Sequence, residues 1–146
     1  MARVERIKTE SEILSTFATV NQLRPHLTKD GYVKTIKRLM DTYEYTLVAV
    51  IEEAQVKAVA GYRLSESLAW GKYLYVDDLI TDKASRRIGY AQLLWDWLYL
   101  EADKHECEQF HLDSGVNRHE AHRFYLKTGL AITCHHFEMN VINKDL

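Results

Sequence analysis

Two arginines, a glycine and an alanine stand close together in Arg86-Arg87-Ile88-Gly89-Tyr90-Ala91. An apolar run ending in Leu79-Ile80 precedes them, and another begins at Leu93-Leu94. The first run fits the end of a strand and the second the start of a helix. Backbone amides in the first turn of a helix lack intrahelical acceptors, and the helix dipole adds partial positive charge there. A strand that feeds a helix through a Gly-containing turn with arginines is therefore suited to hold a phosphate. Gly89 lets the chain pass close to a ligand because it has no Cβ, and Ala91 is the next smallest choice. The amides of Arg87 through Ala91 are the candidate cradle. The side chains of Arg86 and Arg87 either add charge to it or lie solvated on the surface.

Other residue types invite a chemical reading. Asp77 and Asp78 fall near the end of an expected strand. Alternation turns only one of them to a given face unless a bulge intervenes. Either is a candidate base or a carboxylate that holds a neighbouring loop, and Tyr73 and His111 are further candidates. His119-Glu120-Ala121-His122 spaces its histidines by three, whereas a zinc-protease helix needs four. Cys107 with His105, and Cys134 with His135 and His136, lack a second ligand pair at zinc-finger spacing. No metal is expected.

Those groups must be positioned by a chain of 146 residues, most simply one domain spanning 1–146. Hydrophobic residues are 47% and charged residues 27%, ordinary for a globular protein. A net charge of −2 argues against a general nucleic-acid binder, which carries a basic excess. No stretch approaches the ~18 apolar residues of a membrane span, and the first dozen residues hold no apolar run of signal-peptide length. Two cysteines make no disulfide framework. The expected setting is cytoplasmic, with no nucleic-acid or membrane partner.

Val4–Ile7 suggests a short strand. Thr9 with Glu12 suggests a capping box before a helix carrying Ile13, Leu14, Phe17 and Val20. Asn21–Leu27 reads as a loop and 30–42 as a second helix. Tyr45–Ile51, Val56–Leu64 and Lys72–Thr81 read as a three-strand antiparallel meander. A long helix follows over about 87–106, with Ile88, Ala91, Leu94, Trp95, Leu98 and Ala102 as its apolar stripe. Leu93, Trp97 and Leu100 widen that stripe. Then come a strand at Phe110–Ser114, a helix at Arg118–Lys127 stopped by Gly129, and a last strand at Ala131–Val141. A strand, helix, strand order favours parallel pairing through a crossover. Periodicity alone yields a mixed α/β sheet.

The stretch Arg86–Ala91 resembles the pyrophosphate motif of the GCN5-related N-acetyltransferases, Gln/Arg-x-x-Gly-x-Gly/Ala. Asp78-Leu79-Ile80 precedes it at that family's distance. Asn117, Ala121, Phe124-Tyr125 and Gly129-Leu130 match the family's second signature. Many members have a second glycine where this chain has Arg87. The resemblance covers nearly the whole chain and implies a single-domain α/β (mixed α+β) fold. Its six-stranded mixed sheet is expected to splay between the fourth and fifth strands, with flanking helices.

It also implies acetyl-CoA as co-substrate and a primary amine of a small molecule or protein as acceptor, attacked directly without an acyl-enzyme. The site residues follow from the same resemblance. The backbone of Leu79 and Ile80 pairs with the pantetheine arm, and Arg86, Arg87, Ile88, Gly89, Tyr90 and Ala91 hold the pyrophosphate. Asn117 hydrogen-bonds the CoA arm or caps the helix after it. Tyr125 protonates the leaving thiolate, and Asp78 polarises the amine. The acceptor groove maps to 23–32 and 135–138, where Arg24, His26, Tyr32, His135 and His136 are polar candidates. The competing expectation is a non-catalytic acyl-CoA-binding module of the same fold. Whether the protein is a homodimer stays open.

Overall fold

The computed structural model describes residues 1–142. The chain falls into two compact units, Met1–Leu112 and a second that begins at Asp113.

In the first unit five strands form one sheet in the order β1 (Arg3–Ile7), β2 (Thr46–Glu52), β3 (Gln55–Ser67), β4 (Gly71–Thr81) and β5 (Gln109–Leu112). The first four are antiparallel neighbours, and β5 pairs parallel to β4. The β2–β3 hairpin turns on Glu53 and Ala54, both at positive φ, as a two-residue turn matched to strand twist requires. The β4–β5 pairing runs only from Tyr73↔Gln109 to Val76↔Leu112. β4 continues to Thr81 with no described β5 residue beside it, so the sheet opens there as expected.

Alternation along the strands sorts the core into two faces. Ile7, Leu47, Ala49, Val59 and Ile80 join Ile13, Val20, Tyr32 and Ile36 of helices α1 (Glu10–Ser15), α2 (Phe17–Leu23) and α3 (Lys29–Tyr43) in one cluster. Val48, Ala60 and Leu74 have the opposite parity and are fully buried. Helix α4 (Tyr90–Lys104) packs on the sheet with Leu94 and Leu98 fully buried. Burying a leucine of this kind contributes roughly 1.5–3 kcal/mol.

The capping box forms: Glu12 N–H donates to Thr9 Oγ1, and Thr9 N–H donates to Glu12. The single helix expected after it is broken at Thr16. The Thr16 hydroxyl bonds both Ile13 O and the Tyr32 hydroxyl, each at 2.7 Å. Helix then runs through Leu23, into the expected loop. At its other end α4 begins at Tyr90 rather than Arg87, and Ile88 of the expected stripe is 65% exposed. Arg87 and Gly89 are both left-handed, which the helix cannot include. Leu93 and Leu100 are also exposed, so the stripe is narrower than expected.

In the second unit α5 (His119–Lys127) ends as expected at Gly129, φ +107. Leu130 N–H donates to Tyr125 O and Gly129 N–H to Leu126 O, the paired bonds of a Schellman motif. The sixth strand expected at 131–141 is absent: 131–140 carry no regular structure, and Ile132, Phe137, Met139 and Val141 are exposed. β-branched and aromatic composition suggested a strand, but a strand exists only with a ladder partner, and this unit supplies none among its described residues.

Candidate active site

The turn between β4 and α4 is fastened from both sides. Asp82 accepts from Ala84 N–H and from Gln22 Nε2, and Lys83 N–H donates to Gln22 Oε1 at 2.9 Å. The Tyr90 hydroxyl donates to Glu52, tying the helix start to the first hairpin. Between these anchors Arg87 (φ 65) and Gly89 (φ 103) curl the backbone left-handed. The first bond of α4 runs from Leu93 N–H to Gly89 O, and no side chain caps the helix. The amides of the first turn therefore have no intrahelical acceptor. A Cβ built on Gly89 would meet nothing within 4 Å, so the space beside it is open. A loop of amides at a dipolar helix end, with Arg86 and Arg87 exposed beside it, fits a pyrophosphate. Of the expected cradle residues, Arg87, Ile88 and Gly89 lie in the turn and Tyr90 and Ala91 in the helix. Tyr90 offers only its backbone, because its ring is buried.

Leu79 and Ile80 are buried and pair with Ala60 and Val59 on one edge. Their other edge is the stretch of β4 past Val76. Just before them lies a bulge: Gly61 faces Asp78 and Tyr62 faces Val76, leaving Asp77 as the extra residue. The bulge that would let both carboxylates work in one region is thus present.

Both Asp78 oxygens are engaged, Oδ1 by Arg24 Nε at 2.9 Å and Oδ2 by the Tyr45 hydroxyl at 2.7 Å. Burial, then the Asp78 charge, push the Tyr45 hydroxyl well above its ordinary pKa. Gly61 makes room for the Tyr45 ring, whose hydroxyl occupies the place a Cβ would take. Arg63 grips the Asp77 carboxylate with Nε (2.7 Å) and Nη2 (2.8 Å), while Arg24 Nη2 donates to the Asp77 carbonyl at 2.9 Å. Sequence reading missed Arg63 and Tyr45. A glycine inside a strand pattern at position 61 was the available signal of a bulge or a close approach.

Tyr73 and His111 are drawn into a different cluster, with Trp70 stacked on His111 at 3.5 Å and edge-on to Tyr73 at 5.0 Å. Tyr32 is no groove residue: it is 2% exposed in the core, and burial pushes its hydroxyl up to about 12.

In the second unit Asn117 is exposed and does not cap α5, whose N-cap is Arg118. Tyr125 is buried. Burial pushes its hydroxyl upward against the opposing charge and hydrogen bond of Arg118, so it keeps its proton at neutral pH. His136 Nδ1 approaches Asp113 at 3.0 Å. Among the described residues no group of three or more His, Cys, Asp or Glu is placed to hold a metal ion, and no helix is long and apolar enough to cross a membrane.

The class is that of the acetyltransferases. The acetyltransferase (GNAT) family model matches residues 11–130, and the chain belongs to that family of N-acetyltransferases. An uncharacterized N-acetyltransferase, YhdJ, of Bacillus subtilis (strain 168) is 28% identical over 142 residues, 97% of this chain and 100% of that protein. A Bacillus halodurans C-125 protein described as a transcriptional regulator has the same fold, with TM-score 0.84 at 17% identity, covering 96% of this chain and 99% of that one. So does the aminoglycoside N-acetyltransferase AAC(6')-Iy, solved with CoA, with TM-score 0.82 at 10% identity over 96% and 94% of the two chains.

Proposed function

We propose that the protein, acting as one functional domain over 1–146 in the cytoplasm, moves the acetyl group of acetyl-CoA to a primary amine by direct attack on the thioester. The observation that carries this is the uncapped first turn of α4 behind the left-handed Gly89, with open space beside it. The amides of Gly89–Ala91 and the guanidinium groups of Arg86 and Arg87 hold the pyrophosphate. The outer backbone edge of Leu79 and Ile80 holds the pantetheine arm, as an added strand would be held. In the second unit Asn117, which α5 does not use as a cap, is the proposed hydrogen-bond partner of acetyl-CoA.

An ammonium acceptor first loses one proton, to Asp78 directly or through water, and so becomes nucleophilic. The N–C bond then forms as the C–S bond breaks. The second N–H proton passes to water, the thiolate takes one up from Tyr125, and water returns a proton to the tyrosinate. A tyrosine that stays protonated at neutral pH is in the correct state to donate. Asp78 holds its geometry through Arg24 and Tyr45 and keeps spare lone pairs, since a carboxylate accepts about four hydrogen bonds.

Tyr125→Phe tests the acid. The ring and its packing stay, and only the hydroxyl goes. Turnover should fall by about 10²-fold, the low end of general acid catalysis, because a thiolate is already a fair leaving group. Acetyl-CoA affinity should hold. Full turnover in the variant, or loss of binding and stability together, would return Tyr125 to a structural role.

A further inference from the structure

We propose that the acceptor is a zwitterion, an amine that also bears a carboxylate, and that Arg24 and Arg63 receive that carboxylate. The inference rests on the acetyl-transfer reading above and adds the substrate class.

Two guanidinium groups are fixed to two functional groups of one residue. Arg24 binds the carbonyl of Asp77 and the carboxylate of Asp78, and Arg63 binds the carboxylate of Asp77. Each spends two N–H groups on these bonds. A guanidinium has five, so each keeps three for another acceptor. Both side chains are 42% exposed, so those donors reach solvent. Arg63 also lies over the Tyr75 ring, 5.6 Å from its centroid. An arginine already held by a fork loses little further freedom when it binds a carboxylate.

Charge then selects among amines. Two guanidinium and two carboxylate groups leave the cluster with no net charge. A polyamine would meet two cations with no surplus of anions. An amino-sugar phosphate would bring a dianion to a site with no surplus of cations. A zwitterion matches both halves: its carboxylate takes the outer guanidinium edges, and its ammonium faces the spare lone pairs of Asp78. The bulge at Asp77 sets these groups beside the open stretch of β4, where the amine has to arrive.

The test compares free amino acids with their carboxamides, which keep the α-amine and lose the negative charge. A polyamine and an amino-sugar phosphate complete the panel, and release of CoA thiol is the readout. Acetyl-CoA binding is titrated on the same preparation. At least one amino acid should exceed its own carboxamide in kcat/KM by about ten- to a hundredfold, the usual worth of a hydrogen-bonded charge, expressed mainly in KM. Arg63→Gln and Arg24→Gln should each erase most of that preference with acetyl-CoA affinity retained, and Arg63→Lys should restore only part of it. If acetyl-CoA binds and carboxamides match their acids, or the polyamine or sugar phosphate is the better acceptor, the zwitterion inference is overturned and acetyl transfer stands. If acetyl-CoA binds and no amine of the panel releases CoA thiol, the zwitterion inference is overturned in favour of the non-catalytic module. If acetyl-CoA does not bind, the underlying reading fails instead.

Discussion

Two charge networks occupy opposite faces of the same sheet, one residue apart on β3. Tyr62 belongs to the first and Arg63 to the second. Each network joins a carboxylate, an arginine and a tyrosine hydroxyl. In the first, Glu101 of α4 accepts from Arg6 Nη2 (2.5 Å) and the Tyr62 hydroxyl (2.6 Å), with His105 Nε2 at 3.5 Å. In the second, Asp78 accepts from Arg24 and the Tyr45 hydroxyl. The Glu101 side chain is 4% exposed and that of Asp78 is 19%. At Glu101 the carboxylate is enclosed, while Arg6, its side chain 37% exposed, lies over the Trp97 ring, and the network fastens α4 to β1 and β3. At Asp78 the same ingredients leave guanidinium edges turned to solvent. What separates the two networks is the carboxylate, enclosed in the first and within reach of water in the second. A buried pair that loses one member is costly, whereas an exposed pair contributes little.

The largest expected contrast follows from that. Glu101→Ala strands Arg6 and the Tyr62 hydroxyl and should remove about 3 kcal/mol of stability, roughly 6–12 °C in Tm for a chain of this size. Asp78→Ala should cost only about 1–2 kcal/mol while depressing amine acetylation far more. Denaturant melts alongside turnover assays check both, and equal stability losses would collapse the distinction.

A second contrast is with pH. Burial pushes the Glu101 carboxyl up, but the bonds from Tyr62 and Arg6 and the Arg6 charge outweigh it, so its pKa lies below the ordinary 4.5. Its stabilising contribution is therefore complete above about 4.5 and is lost as pH falls through the lower folded value. Glu101→Gln should flatten stability against pH only on that acid limb. An unchanged acid limb would show that the network does not hold Glu101 ionised.

The smallest effect separates the two tyrosines. Tyr62→Phe should cost about 1–2 kcal/mol, since it leaves a buried carboxylate short of a donor. Tyr45→Phe should cost about 1 kcal/mol or less, because water can reach Asp78. Urea midpoints in the reverse order would contradict the burial argument.

Much of this frame was legible in the residues. The capping box at Thr9 and Glu12, the stop at Gly129 and the meander all rest on local rules. So does the turn between β4 and α4, although its left-handed residues include Arg87 as well as Gly89. What stayed hidden depends on partners distant in sequence. The break at Thr16 comes from a hydroxyl shared with Tyr32. Asp77, which Arg63 grips, is the extra residue of the bulge, and Arg24 and Tyr45 reach Asp78 from positions far away in sequence. The missing last strand is the same lesson in reverse, since composition proposes a strand and only a neighbour makes one.

The most direct measurement is a calorimetric titration of acetyl-CoA into the wild-type protein and into Gly89→Val, with a thermal melt of each. A β-branched residue at φ +103 is strained and fills the space beside the first-turn amides. The wild type should bind one equivalent, and ligand at about a hundred times its Kd should add about 2.7 kcal/mol to unfolding. The variant should remain folded and bind none. A folded Gly89→Val that binds acetyl-CoA as tightly as the wild type, or a wild type whose melt millimolar acetyl-CoA leaves unmoved, would contradict the cradle at Arg87–Ala91.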